Sequence, residues 1–193
     1  MVIIKTRQSR RDQVDFDNLG FGEVFSDHML IMDYKDGEWS AAQIVPYGTI
    51  EVFPAMCSFH YGQMVFEGLK AFYTRMGAIN IFRPQKYHER MNLSCQRLCI
   101  PEIGFDLFMD GLKELVNLDK EWIPKKKGYS LYIRPFIFAT DSFLGVKISE
   151  TYRFIIITSP VGAYYKEGIN PVRLITPGEY IRAAKGGLGA AKT

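Results

Sequence analysis

Cysteine, histidine and tryptophan are scarce in this chain, with 3, 3 and 2 residues among 193. Three cysteines (Cys57, Cys95, Cys99) do not make a disulfide framework, and the odd count leaves one thiol without a mate. CxxC pairs are absent, and 3 histidines supply little for a zinc site. No apolar run approaches the roughly 20 residues that a membrane-spanning helix needs. The opening MVIIKTRQSRRDQ places its apolar residues before its charges, the reverse of a secretory leader. A reducing, cytoplasmic setting is therefore the expectation. An excess of one charge is missing too. The 24 Lys+Arg and 21 Asp+Glu leave a formal charge of +3 spread along the chain, which excludes a dedicated nucleic-acid binder. Internal repeats and low-complexity segments are also absent.

Aromatic residues are plentiful: 11 Tyr and 14 Phe can build a core or line a pocket with rings. Residues 1–22 read as a loose arm. HMLIMDY at 28–34 reads as a strand, Asp36-Gly37 as a turn, and 39–45 as the returning strand. AFYTRMGAINIF at 71–82 reads as a hairpin with Met76-Gly77 near its tip. Pro84 suits the first turn of a helix carrying Tyr87, Met91 and Leu98 on one face, with Pro101 ending it. In that pattern Cys95 and Cys99 share a helix face as small buried side chains. A second helix runs over 105–119, with Phe108, Leu112, Leu115 and Val116 as its apolar stripe. YSLYIRPFIFA at 129–139 and TYRFIIIT at 151–158 are the strongest strands, and 171–175 reads as a short one. Strands, then two helices, then strands indicate an α+β fold rather than regular βαβ alternation. The composition changes after residue 160 and only some 30 residues follow, too few for a second compact domain. The expected division is a small α+β domain over 1–159, a connector over 160–168, and the start of a larger domain over 169–193.

The final stretch GGLGAAKT, residues 186–193, falls one residue short of the phosphate-binding pattern GxxxxGK[ST], because position 191 is alanine. A P-loop also needs a helix to follow it. Spacing alone leaves three readings: a flexible tail, a nucleotide loop, or a lysine set close to a ligand as a nucleophile.

Several strings, in order, resemble the branched-chain amino-acid aminotransferases of fold-type IV. They are FSDHML (25–30), HYGQMVFEGLKAF (60–72), IFRP (81–84), ERMN (89–92), RLCIP (97–101), SLYIRP (130–135), LGV (144–146), PVGAY (160–164) and YIRAAKGGLGAAK (180–192). The resemblance implies the small N-terminal domain of that fold, an antiparallel sheet with two helices, plus the beginning of the larger domain. It implies that the parent protein is an enzyme using pyridoxal 5'-phosphate to move the amino group of Leu, Ile or Val to 2-oxoglutarate through a lysine Schiff base. The family continues well past its lysine, so the 193-residue chain is expected to be a fragment, inactive alone.

By matching position, Lys192 is the implied covalent lysine, with Lys185 its only close rival. Arg90 matches the helix-borne arginine that binds the cofactor phosphate, and its forked donors suit phosphate oxygens. Arg182 is similar to a second arginine near the phosphate. Phe25, Tyr61, Phe66, Tyr132, Arg134 and Tyr164 resemble the substrate-pocket wall. Tyr132 and Arg134, two apart on a strand, share a face. Val146 is similar to a loop residue that closes the neighbouring subunit's pocket, which implies a homodimer. Partners implied are small amino and 2-oxo acids, with no nucleic acid and no membrane. D-amino-acid aminotransferases and aminodeoxychorismate lyases share the fold, but HYGQ…FEGLKAF and the long N-terminal segment belong to the branched-chain group. The alternative of another class is a non-catalytic structural module.

Overall fold

The computed structural model describes residues 1–163, 170–176, 178–181 and 183–193. In chain order its elements are β1 (Val2–Ile3), β2 (His28–Lys35), β3 (Glu38–Trp39), β4 (Gln43–Pro46), α1 (Cys57–Tyr61), β5 (Met64–Phe66), β6 (Leu69–Tyr73) and β7 (Ile79–Ile81). Two longer helices follow, α2 (Pro84–Arg97) and α3 (Phe105–Leu118), and then the two longest strands, β8 (Ser130–Ala139) and β9 (Tyr152–Val161).

β8 and β9 carry dense β-branched and aromatic sequence, and they pair antiparallel along their whole length, from Ser130↔Val161 to Ala139↔Tyr152. They form the middle of one sheet in the order β1-β4-β2-β9-β8-β6-β7, with β3 on β2 and β5 on β8. Pairing is antiparallel except at the edge, where β1 lies parallel to β4. The β2–β3 turn places Asp36 and Gly37 at φ 54° and 88°, as a two-residue hairpin requires. This is the α+β architecture expected from the element order.

Period-2 alternation divides the sheet into two faces. Leu30, Met32, Ile44, Leu131, Ile133, Ile137, Phe154 and Ile156 join the core with Met91 and Cys95 of α2 and Phe108, Leu112, Leu115 and Val116 of α3. Phe108, Leu112 and Leu115 are wholly buried, each contributing on the order of 1.5–3 kcal/mol. α3 lies close against β2 at Gly111, where a Cβ would come within 2.5 Å of a Leu30 methyl. On the opposite face Met29, Phe138 and Ile155 gather with Met56 into a smaller cluster. No helix of the described residues is long and apolar enough to cross a membrane.

Several local expectations are corrected. The N-terminal arm is tied down rather than loose. The Thr6 amide donates to His28 Nε2 at 3.0 Å, the Arg10 amide to Asp27 at 2.9 Å, and the Arg11 guanidinium to the Glu121 carbonyl at 2.7 Å. His28 receives Thr6 on Nε2 and so presents Nδ1–H to Asp119, 2.6 Å away in the interior. The return over 39–45 divides into β3 and β4, because the Ser40 amide folds back to the Asp33 carbonyl. α2 ends at Arg97 and Cys99 takes φ 55°, so Cys95 is buried while Cys99 is exposed and off the helix. Residues 171–175 form no strand: β-prone residues need a neighbouring backbone to pair with, and none of theirs does. Pro160 and Val161, read as the start of the connector, complete β9 against Leu131 and Ser130.

Candidate active site

The site is presented by a break in one strand. β5 pairs with β8 through Phe66↔Phe136, and β6 resumes at Leu69↔Ile133. Glu67 and Gly68 lie between them, beside Pro135, which has no amide to offer a neighbour. The Pro135 carbonyl still accepts the Glu67 amide at 2.8 Å. Gly68 is required here, since a Cβ would run into the Tyr132 hydroxyl.

Tyr132 and Arg134 project from the same face of β8. The Arg134 guanidinium donates to the Tyr132 hydroxyl from Nε at 3.2 Å and Nη2 at 3.0 Å, and its carbon sits 4.5 Å from the Phe66 ring centroid. Phe21 packs edge-on against Tyr132 at 5.0 Å. Lys192 Nζ also lies 4.5 Å from the Phe66 centroid. The negative ring face attracts both cations. The backbone holds the lysine there: the Phe66 amide donates to the Lys192 carbonyl at 3.0 Å, and the Thr193 hydroxyl donates to the Met64 carbonyl at 2.6 Å.

α2 supplies the other wall. Arg90 and Ser94 are one turn apart and share a helix face. The Lys192 amide donates to Ser94 Oγ at 2.9 Å. Arg90 makes a two-pronged contact with Glu67, Nε to Oε1 at 2.5 Å and Nη2 to Oε2 at 2.7 Å. The hydrogen bond from Glu67 lifts the Arg90 guanidinium above its ordinary pKa against the opposing effect of burial. The Tyr87 ring lies 5.4 Å from the guanidinium carbon.

Phe66, Arg90, Ala183, Leu188 and residues 189–193 enclose a cavity of about 500 Å³. That size suits a small-molecule site. Lys192 lines it and Lys185 does not. Larger hollows of about 640 and 1010 Å³ lie elsewhere, and neither combines a lysine with an arginine. Another of about 700 Å³ does, but its Arg75, Lys125 and Lys127 are all exposed, on loops outside the sheet. Beside the Lys192 amine, Arg90 Nη1 is left unpaired by Glu67, so an aldehyde bearing a phosphate fits the donor set.

Of the residues singled out from sequence, the structure brings together Phe66, Arg90, Tyr132, Arg134 and Lys192. Phe25 stacks on Tyr47 at 4.9 Å, the Tyr61 hydroxyl donates to the Leu144 carbonyl, and Val146 is 89% exposed; none of the three lines this cavity. Tyr164 and Arg182 fall outside the described residues. Sequence reasoning missed Glu67 and Ser94. A carboxylate inside the apolar run VFEGL was the available signal for Glu67, since a buried acid demands a partner.

No family model matches the chain. Branched-chain-amino-acid aminotransferase 2 of Bacillus subtilis is 50% identical over 191 residues, covering 98% of this chain and 53% of that protein. The Escherichia coli branched-chain amino acid aminotransferase structure superimposes with a TM-score of 0.56 at 25% identity, over 72% of this chain and 41% of that one. A bacterial branched-chain amino acid aminotransferase (T.th.) solved with pyridoxamine 5'-phosphate gives a TM-score of 0.53 at 24% identity, over 72% and 42%. The chain thus spans about half the length of the curated relatives it matches. Half of its residues are shared across almost its entire length, and the fold agrees, so the chain belongs to the branched-chain amino-acid aminotransferase family.

Proposed function

We propose that the protein carrying this chain transfers the amino group of branched-chain L-amino acids to 2-oxoglutarate, using pyridoxal 5'-phosphate held covalently by Lys192. The observation that carries this reading is the shared cavity, with the Lys192 amine at one wall and the Arg90 guanidinium at another. The relative whose structure contains pyridoxamine 5'-phosphate supports the cofactor. The chemistry the cofactor supplies when bound is an electron sink for the substrate Cα. Lys192, as a neutral amine, then takes and returns the Cα proton. Arg90 grips the phosphate, with Arg182 as a second cation on the strength of the sequence resemblance. Phe66 and Tyr132 offer rings to an aliphatic side chain, and Arg134, steadied by the Tyr132 hydroxyl, meets the carboxylate. Phe25, Tyr61 and Tyr164 complete the pocket in this reading.

Residues 1–159 are read as the small domain, 160–168 as the connector and 169–193 as part of the larger one. A homodimer fits the exposed apolar loop of Phe143, Leu144, Val146 and Ile148, with Val146 reaching the neighbouring pocket. The setting is read as cytoplasmic.

The test is borohydride reduction after incubation with pyridoxal 5'-phosphate, followed by peptide mapping. A phosphopyridoxyl group on Lys192 in preference to Lys185 is expected. A label spread evenly over the lysines, or none at all, overturns the assignment. The full gene product is then assayed with leucine, isoleucine and valine against 2-oxoglutarate, and Lys192→Ala is expected to abolish turnover.

A further inference from the structure

We infer that Glu67 is a positioning residue: it fixes the Arg90 guanidinium so that its outer edge is preset for a phosphate entering the Lys192 cavity. The inference rests on the proposed reading of Arg90 as the phosphate holder. Glu67 is wholly buried, whereas the Arg90 side chain is 52% exposed. The contact therefore runs from the interior outwards. Both Glu67 oxygens are engaged, Oε1 by Arg90 Nε at 2.5 Å and Oε2 by Nη2 at 2.7 Å, with the Gly68 amide adding a third donor at 3.1 Å. The backbone holding that carboxylate is itself anchored, through the Glu67 amide on the Pro135 carbonyl.

A guanidinium has five N–H donors in one plane. Two prongs on Glu67 orient that plane, and the Tyr87 ring lies against the group from the side. What remains is the Nη1 pair and one Nη2 hydrogen, the edge available to the cavity that Arg90 lines. A free arginine is a mobile side chain, and ordering it on binding would weaken the complex. Here it is ordered beforehand.

The charge makes the idea sharp. Glu67 is an anion next to the place where a second anion must bind, so by Coulomb's law alone its loss would strengthen phosphate binding. By positioning, its loss would weaken it. The two effects have opposite signs, and the forked contact predicts that geometry wins.

The experiment measures spectroscopic dissociation constants of the 193-residue chain for pyridoxal 5'-phosphate and for pyridoxal, which lacks the phosphate, in wild type, Glu67→Gln and Arg90→Lys. Wild type is expected to prefer the phosphorylated form. Glu67→Gln is expected to lose about tenfold of that preference while its affinity for pyridoxal stays within about twofold. Arg90→Lys keeps the charge without the fork and is expected to behave like Glu67→Gln. Unchanged or tighter phosphate binding in Glu67→Gln overturns the inference, as does an equal loss for both aldehydes, which marks a merely structural pair. If Glu67→Gln does not fold, Glu67→Asp, which keeps the charge but withdraws the oxygens by one methylene, is read by the same ratio. A wild type with no preference for the phosphate removes Arg90 as its holder, and the inference falls with it.

Discussion

The Ser94 hydroxyl accepts the Lys192 amide at 2.9 Å and donates to the Arg90 carbonyl at 3.0 Å, so one buried oxygen ties the lysine to the helix turn that bears the arginine. Removing it in Ser94→Ala is expected to cost about 1 kcal/mol locally, with the Lys192 amide exchanging about fivefold faster by hydrogen-exchange mass spectrometry. Global unfolding should move by no more than about 2–4 °C. Exchange at wild-type rates would show that the lysine is held by its other contacts.

Asp119 accepts both the His28 ring and the His28 amide, at 2.6 and 3.0 Å, inside the protein. Asp119→Ala strands two buried donors and is expected to destabilise the fold by about 2–4 kcal/mol. Because Thr6 bonds to the other nitrogen of the same ring, residues 1–10 should also become sensitive to protease. Thermal melting and limited proteolysis read the two effects, and Asp119→Asn should be milder in both.

Asp141 links stability to acid. Burial alone would raise its pKa, but the Thr151 hydroxyl, the Lys147 ammonium and the Glu150 amide outweigh that and lower it from 3.8 to about 2. The unfolded chain therefore binds the proton before the native one does. The contribution of Asp141 is complete above the ordinary aspartate range and is lost as the pH falls through about 2. Denaturant melts between those limits should show a shallower acid loss in Asp141→Asn than in wild type. Parallel curves would remove Asp141 as a source.

The thiols should separate cleanly. Cys95 is fully buried, and burial pushes its pKa up to about 12. Cys57 is buried as well, and Cys99 is exposed. Iodoacetamide at mildly alkaline pH is expected to label Cys99 in the native protein, with Cys57 and Cys95 labelled after denaturation.

The long elements were legible because their patterns are locally strong. Pro84 and the Phe108–Leu112–Leu115 stripe announced both helices, and the β-branched and aromatic density of 129–139 and 151–158 announced the central strands. α1 and β5 escaped, being 5 and 3 residues long, too short for a period to register. The N-terminal arm escaped because its anchors, Asp27, His28 and Glu121, lie far along the chain. Among the site residues, Arg90 and Lys192 were found through resemblance. Their mutual placement depends on the interrupted strand at Glu67-Gly68, which no periodicity encodes.

The two-sided sheet has a consequence for how such a protein can diversify. The helices pack against the surface bearing Leu131, Ile133 and Ile137, while Tyr132 and Arg134 stand on the reverse. Exchanging the reverse residues changes which molecules are welcomed without reopening the packed interior. Appetite for a different side chain can then drift through mutation at little risk to folding.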